Sequence, residues 1–577
     1  LPLGFSYTYT ADLLALDRCR PPSHSVIQEV VGGVTPLKHS VWETALQDHP
    51  DKEFVHYITS GLQFGFRIGF DHGRPLRSAT CNMLSATQHP ELITEYIEKE
   101  LQLGRMLGPF SVGGMLQSSI QLSRFGVIPK GHSTGKWRLI TDLSYPPGLS
   151  VNDGIDPKLC SLRYTTVEIV ASEAASLGPN ALLAKVDIES AYRLVPVHPH
   201  DRSLLGLRLG DNVYIDPMLP FGLRSAPKIF TAIADALEWC VKSAGIAHVH
   251  HYLDDFVVVG SSGTTECSRA LDILIRKCTE LGVPLATHKT EGPATSITFL
   301  GIVIDTARGE LRLPAAKLEH LRSLVADWAG RKACNRKELE SLVGHLNHAC
   351  KVVRPGRSFL RRIIVLLQRY RNRYQPLRLN HGFRSDLQWW ACFASQWNGS
   401  SYIATAAHVR FATDASGIWG CGAWHERSWF QLEWDPLTRQ LPIAVKELLP
   451  IILAGLIWGK SWRRQKVLCY CDNQAVVAGL RSRSSPQPQI MHLLRCLFFV
   501  EALYLFEIEA TYIRSEDNSI ADDLSRDNMC SFYSKVPLAD KDPAPVPRTA
   551  VNLLLDQSGD WTSPAWMRQF SAFFTMA

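Results

Sequence analysis

No stretch of this 577-residue chain stays apolar for anything near the ~20 residues needed to cross a bilayer. The longest such run, Leu448 to Gly459, directly follows a glutamate, so no membrane span and no membrane partner is expected. The first twenty residues lack both a basic start and a continuous apolar stretch, so no secretory leader is read there, and with Leu at position 1 the chain reads as a fragment of a longer one. Cys-x-x-Cys is absent despite 14 cysteines, which argues against zinc knuckles and a dense disulfide framework. Reduced thiols in an intracellular protein, cytoplasmic or nuclear, are expected instead. Neither charge dominates: 61 Lys and Arg against 55 Asp and Glu leave a net +6. With 46% hydrophobic and 20% charged residues the chain is of ordinary globular composition, long enough for several domains.

Residues 1–110 mix short helical patterns with Pro21-Pro22, Gly32-Gly33 and glycines from Gly61 to Gly73, and are expected to form an extension without chemistry of its own. From about 120 to 305 short apolar strands alternate with longer helical patterns, the signature of an α+β domain with a central sheet. Its first clear strand is Ala181 to Ile188. A helix follows Pro227, with Ile229, Phe230, Ile233, Ala234, Leu237 and Val241 on one face; another carries Cys267, Leu271, Leu274, Cys278 and Leu281, with Gly282 placed to end it. Between Arg331 and Arg373 twelve basic residues face only Glu338 and Glu340, which favours contact with a phosphate backbone. A second α/β pattern spans 408–526: strands near Val409–Thr413, Gly420–Trp424 and Trp429–Trp434, an apolar helix, strand Val467–Cys471, then helix, strand and helix. Pro537, Pro543, Pro545 and Pro547 follow in a linker-like stretch, and the tail to Ala577 is aromatic.

Two acids, Asp254 and Asp255, interrupt what reads as a buried hairpin between His248-Val249 and Phe256-Val257-Val258-Val259. Adjacent buried carboxylates are unfavourable unless a cation neutralises them, and hard oxygen ligands suit Mg²⁺. Asp187 ends the apolar strand Leu182 to Val186 and supplies a third. The turn Leu219-Pro220-Phe221-Gly222-Leu223-Arg224-Ser225-Ala226-Pro227 lies between them. An Asp strand, a Pro-Phe-Gly-Leu-x-x-Ala-Pro turn and Tyr-x-Asp-Asp, in that order, resemble reverse transcriptases. Val127-Ile128-Pro129-Lys130 with Lys136 to Asp142 look like that family's finger strands, and Phe299-Leu300-Gly301 resembles its primer-gripping hairpin. The resemblance implies that Asp187, Asp254 and Asp255 bind catalytic metals and that Lys136, Arg138 and Lys130 meet the incoming triphosphate. It further implies that Tyr192 excludes a ribose 2′-hydroxyl, that Phe221 and Gly222 lie under the base pair, and that Lys289 sits near the triphosphate.

Asp414 closes the strand from Val409, Glu447 begins an apolar helix, and Asp472 ends the strand from Val467. Acids at such ends point to one crevice suited to metal-assisted hydrolysis. With Asp522, in Asn518-Ser519-Ile520-Ala521-Asp522-Asp523-Leu524-Ser525-Arg526, the order Asp, Glu, Asp, Asp resembles the ribonuclease H fused behind retroelement reverse transcriptases. Asp523 is the alternative to Asp522. Tyr512 stands where many relatives carry a mobile histidine, which implies altered product release or slow cleavage.

The flanks Gly65 to Phe70, Gly108-Pro109-Phe110 and Val352 to Arg357 look like DIRS-type retrotransposon polyproteins, whose elements encode a tyrosine recombinase as a further partner. His381-x-x-Arg384 and His492-x-x-Arg495 match a fragment of that recombinase's signature by chance. The expected architecture is α+β: an extension to 110, right-hand fingers and palm at 111–310, a basic helical thumb and connection at 311–405, an α/β ribonuclease-H-like domain at 406–530, and a Pro-rich linker and tail at 531–577. The expected activity is RNA-directed DNA synthesis with degradation of the RNA strand. It would act on an RNA template, DNA primer, RNA·DNA hybrid and dNTPs, with two Mg²⁺, or Mn²⁺, per site. The alternatives are a gypsy-type or pararetroviral polymerase fragment, and a decayed or domesticated copy that only binds nucleic acid.

Overall fold

The computed structural model describes residues 7–18, 33–111, 120–129, 137–370, 376–402, 409–463, 465–504, 506–546 and 548–556. The chain divides into two compact units, one of residues 1–300 with 304–309 and one of residues 301–303 with 310–577. No helix among the described residues is long and apolar enough to cross a membrane.

In the first unit, strands β1 (Leu122–Pro129) and β2 (Trp137–Asp142) form an antiparallel pair that joins a five-stranded sheet. A four-stranded antiparallel sheet is built from β3 (Leu182–Asp187), β4 (Val249–Tyr252), β5 (Asp255–Gly260) and β6 (Glu291–Ala294), in the order β4-β5-β3-β6. Helices α1 (Ala226–Ser243) and α2 (Glu266–Leu281) pack on β4 and β5. Every apolar position expected on one face of α1 is buried, and Gly282 ends α2 in the left-handed region at φ 79°. Phe256 to Val259 are all buried, so this strand is an unbroken apolar run and not an alternating one.

The described residues among 1–110 do not stand apart as an extension. Trp42, Phe54, Ile58, Phe66 and Phe70 are buried in the same core as Val186, Ile229 and Leu274, and the Trp42 indole N–H donates to the Leu281 carbonyl at 3.0 Å. The motif Gly65-Phe66-Arg67-Ile68 belongs to this core. Arg67 donates to buried Asp201 at 2.8 Å, and a Cβ on Gly65 would lie 2.6 Å from the His198 amide nitrogen. Arg193 is likewise buried against Glu100 and Asp216. These contacts join residues too distant in sequence for periodicity to disclose them. Arg193→Ala would strand two buried carboxylates, so we expect a loss of about 3–5 kcal/mol in urea unfolding. A change within about 0.5 kcal/mol, the range of neutral surface substitutions, would refute that reading of the core.

In the second unit a five-stranded sheet is made of β7 (Val409–Ala415), β8 (Gly420–His425), β9 (Ser428–Glu433), β10 (Lys466–Cys471) and β11 (Glu507–Tyr512), in the order β9-β8-β7-β10-β11. β9, β8 and β7 are antiparallel, whereas β7, β10 and β11 are parallel. The apolar helix α3 (Ile443–Trp458) is buried along most of its length. It starts four residues before Glu447, with Pro442 at the position before its first residue, and its buried face begins at Val445. Two helices, α4 (Gln474–Ser482) and α5 (Pro488–Tyr504), and not one, separate β10 from β11, since Ser484 to Gln487 break the run.

Helix α6 (Ser519–Ser525) crosses β8 at Gly422, where a Cβ would come within 2.3 Å of the Leu524 Cβ; only glycine admits the helix this closely. Helix α7 (Met529–Lys535) occupies the start of the expected linker, with Phe532 buried against Trp429 and Leu524. The basic stretch is partly neutralised, Arg336 by Glu340 and Arg354 by Glu507, which reduces the charge free to meet phosphates. Arg371 and Arg373 lie outside the described residues. Segments 311–405 and 406–530 are continuous in packing, as in the ion pair of Arg495 with Asp386.

Candidate active sites

The first cluster lies where three strands of the four-stranded sheet end. Asp187, last in β3, pairs directly with Asp255, first in β5, and Asp254 sits in the turn between β4 and β5. Leu253 in that turn takes φ 54°, a left-handed conformation that costs a non-glycine residue roughly 1–2 kcal/mol. The turn is held by the Ile188 amide donating to the Asp254 carbonyl at 2.9 Å and by the buried run that follows. Burial, then the charges of Asp254 and Asp187, push the Asp255 carboxyl up to about 6; burial and Asp187 also raise Asp254. Lys289 donates to Asp187 at 2.8 Å, and this bond raises the lysine's own pKa. Three crowded carboxylates drawing in a lysine are a donor set that fits a hard divalent cation.

Around them, Arg138 is exposed on β2, and its charge favours ionised Asp254. Lys130 and Lys136 lie outside the described residues. The Tyr192 ring packs 5.3 Å from Phe221 and 5.5 Å from Phe230, and burial raises its hydroxyl pKa. Phe221 is exposed. Gly222 has φ 96°, and a Cβ there would lie 2.4 Å from the Thr141 carbonyl oxygen. Asn152, which sequence reading overlooked, clamps this turn: its side chain donates to the Gly222 carbonyl at 2.9 Å and accepts from the Arg224 amide at 2.8 Å.

The second cluster gathers Asp414 on β7, Glu447 on α3, Asp472 just after β10 and Asp522 on α6. Burial, and then the charges of Asp472 and Asp522, lift Asp414 to about 6 against a hydrogen bond from Ser525. Burial, Asp414 and Asp472 lift Glu447 to about 9, and its Oε2 is buried without a hydrogen-bond partner. Asp472 accepts from Ser515 at 2.6 Å and Asp522 from Arg526 at 2.6 Å. Asp523 is instead taken up by Lys535 at 2.6 Å and Ser531 at 2.8 Å, which favours Asp522 as the member of the cluster. Tyr512 is exposed. His492 and Arg495 serve packing, the ring bonding the Leu554 carbonyl at 2.9 Å and Arg495 reaching Asp386.

Residues 128–304 match the reverse transcriptase family. That family is described as reverse transcriptase (RNA-dependent DNA polymerase), and the matched span contains Asp187, Tyr192, Phe221, Gly222, Asp254, Asp255 and Lys289. Two curated relatives, the Tf2-3 and Tf2-4 transposon polyproteins of Schizosaccharomyces pombe, are each 22% identical over 470 residues, covering 74% of this chain and 32% of theirs. The chain thus spans about a third of the length of the relatives it matches. Among solved structures, the foamy viral protease-reverse transcriptase dRH with double-stranded DNA aligns at TM-score 0.45 and 14% identity, covering 85% of this chain and 84% of that one. The foamy viral enzyme with an RNA/DNA hybrid aligns at 0.44 and 13%, covering 84% and 64%. The second carboxylate cluster lies beyond the segment matched to the reverse transcriptase family.

Burial of Glu447 beside Asp414 and Asp472 makes the stability of this unit pH-dependent. A folded-state value of about 9, against ~4.3 when unfolded, means that the folded protein holds the extra proton between those limits, so stability falls as pH rises through that window. Glu447→Gln removes this slope. In chelator, thermal unfolding of the variant should therefore exceed wild type by roughly 1–3 kcal/mol at pH 8 and match it near pH 4. A wild type more stable than the variant at pH 8 would contradict the assignment.

Proposed function

We propose that this chain copies RNA into DNA and degrades the RNA strand of the resulting hybrid, as the polymerase portion of a retroelement polyprotein. The observation that carries the reading is the convergence of Asp187, Asp254 and Asp255 at one end of a sheet, inside the segment matched to the reverse transcriptase family. Two Mg²⁺ per site, or Mn²⁺, would supply Lewis acidity toward the attacking and departing oxygens when bound.

The protein's own groups do the rest. Asp187, Asp254 and Asp255 provide the anionic oxygens, and Lys289 leaves Asp187 to meet a triphosphate. Arg138, with Lys130 and Lys136 assigned from sequence, takes further phosphate charge. Tyr192, backed by Phe221 and Phe230, narrows the space beside the sugar and favours dNTPs, while the Gly222 turn supports the base pair formed by RNA template and DNA primer. Template degradation is supported by the four carboxylates Asp414, Glu447, Asp472 and Asp522 on the mixed sheet β9-β8-β7-β10-β11, an arrangement suited to a ribonuclease-H-like reaction. Tyr512 in place of a histidine alters product release or slows cleavage in this scheme. A DIRS-type element, a separately encoded recombinase and an intracellular setting belong to the same proposal.

The test is a labelled primer on an RNA template with dNTPs and Mg²⁺, following primer extension and RNA cleavage together. Both products are expected. Hybrid binding with neither product, from folded protein, would favour a copy that only binds nucleic acid.

A further inference from the structure

Cys471 is the last residue of β10 and is fully buried, one position before Asp472. Its Sγ and the carboxylate oxygens of Glu447 and Asp472 lie within 4.8 Å of one another, a donor geometry for one ion. A second, independent observation points to a ligand. Glu447 is only 4% exposed, and its Oε2 has no hydrogen-bond partner. Such an oxygen carries the full cost of desolvation unless something binds it. The other two cysteines near Glu447, Cys421 and Cys469, are equally buried but are not part of this geometric group.

We propose that Cys471, Glu447 and Asp472 form a mixed thiolate and carboxylate site for a soft divalent ion of the Zn²⁺ or Cd²⁺ class, which competes with Mg²⁺ for two of the carboxylates of the second site. The proposal extends the ribonuclease-H-like reading of this crevice by naming an inhibitory ligand for it. The chemistry follows from the donors. Mg²⁺ takes oxygen ligands and gains nothing from sulfur, whereas thiolate selects Zn²⁺ and its heavier congener. On binding, the Cys471 S–H and Glu447 O–H bonds break, both protons pass to solvent, and sulfur–metal and oxygen–metal bonds form, with no change of oxidation state. Three protein donors leave a tetrahedral ion one open position. Held there, the soft ion withdraws Glu447 and Asp472 from Mg²⁺, so template degradation becomes sensitive to thiophilic metals. Asp187, Asp254 and Asp255 offer oxygen alone.

The intact chain is titrated with Cd²⁺ alone, following the ultraviolet thiolate-to-cadmium charge-transfer band, in wild type, Cys471→Ser and Glu447→Gln. Wild type is expected to bind one equivalent more than Cys471→Ser with sulfur ligation. Glu447→Gln should keep the band but bind roughly tenfold or more weakly. Identical titration of wild type and Cys471→Ser overturns the proposal, as does a wild-type equivalent that Glu447→Gln leaves undiminished. Thermal melts establish that each variant is folded; if Cys471→Ser is not, the Glu447→Gln titration decides alone. Because the readout is metal binding, it is distinct from the hybrid-cleavage assay, and each reading can fail without the other.

Discussion

Asp254→Asn is expected to lower primer extension by at least about 10³-fold while leaving hybrid cleavage at its wild-type rate. Asparagine keeps the size and one acceptor of the side chain, and the backbone bond from Ile188 to the residue 254 carbonyl is untouched. What disappears is one negative charge of three. An anionic oxygen set is what holds a hard cation, and the remaining Asp187 already shares its charge with Lys289. Misfolding would not account for the loss, because the Asp254 charge is one of the influences pushing Asp255 upward. Removing it relieves repulsion, so the metal-free variant should melt no lower than wild type. Persistent extension, or loss of both activities in a folded variant, would defeat the assignment.

The reciprocal variant, Asp472→Asn, should abolish RNA cleavage to a similar degree and spare extension. Asp472 carries the charge that helps raise both Asp414 and Glu447, so it lies at the centre of the second cluster. The bond from Ser515 survives the substitution, because the asparagine carbonyl still accepts. Independence is expected because the two clusters lie in different compact units. Cleavage that continues in Asp472→Asn would remove the hydrolytic proposal and leave the polymerase proposal standing. Extension that falls with it would mean that the two sites are not separable.

The elements that position these acids were legible because they are local. Helix α1 declares itself by apolar spacing, the hairpin by two acids inside a buried run, and α2 by its terminal glycine. What sequence did not disclose is long-range pairing of polar groups. Lys289 resembles a surface lysine until its bond to Asp187, 102 positions away, is seen. Nothing near Ser525 announces its bond to Asp414, and the Asn-x-x-Ala-Asp-x-Leu-Ser-Arg spacing that favours Asp522 does not show that Lys535 takes up Asp523. Asn152 and Cys471 were passed over because a lone asparagine or cysteine carries no period. The role of residues 1–110 was misread for the same reason: their glycines and prolines look like loop punctuation, whereas their apolar residues fill a core completed far downstream.

That core has a kinetic consequence. The Trp42 indole meets its acceptor at Leu281, 239 positions later. At 5–20 residues per second, a ribosome that has released Trp42 needs roughly 10–50 s to deliver the partner. Throughout that interval the helix Lys52–Phe64 can pack only on the preceding helices Tyr7–Asp17 and His39–Ala45 and lacks the helix Ala226–Ser243 that completes its contacts. The incomplete core of the nascent chain is expected to favour holding chaperones over that interval, so the yield of folded protein should depend on the rate of translation as well as on the stability of the finished protein.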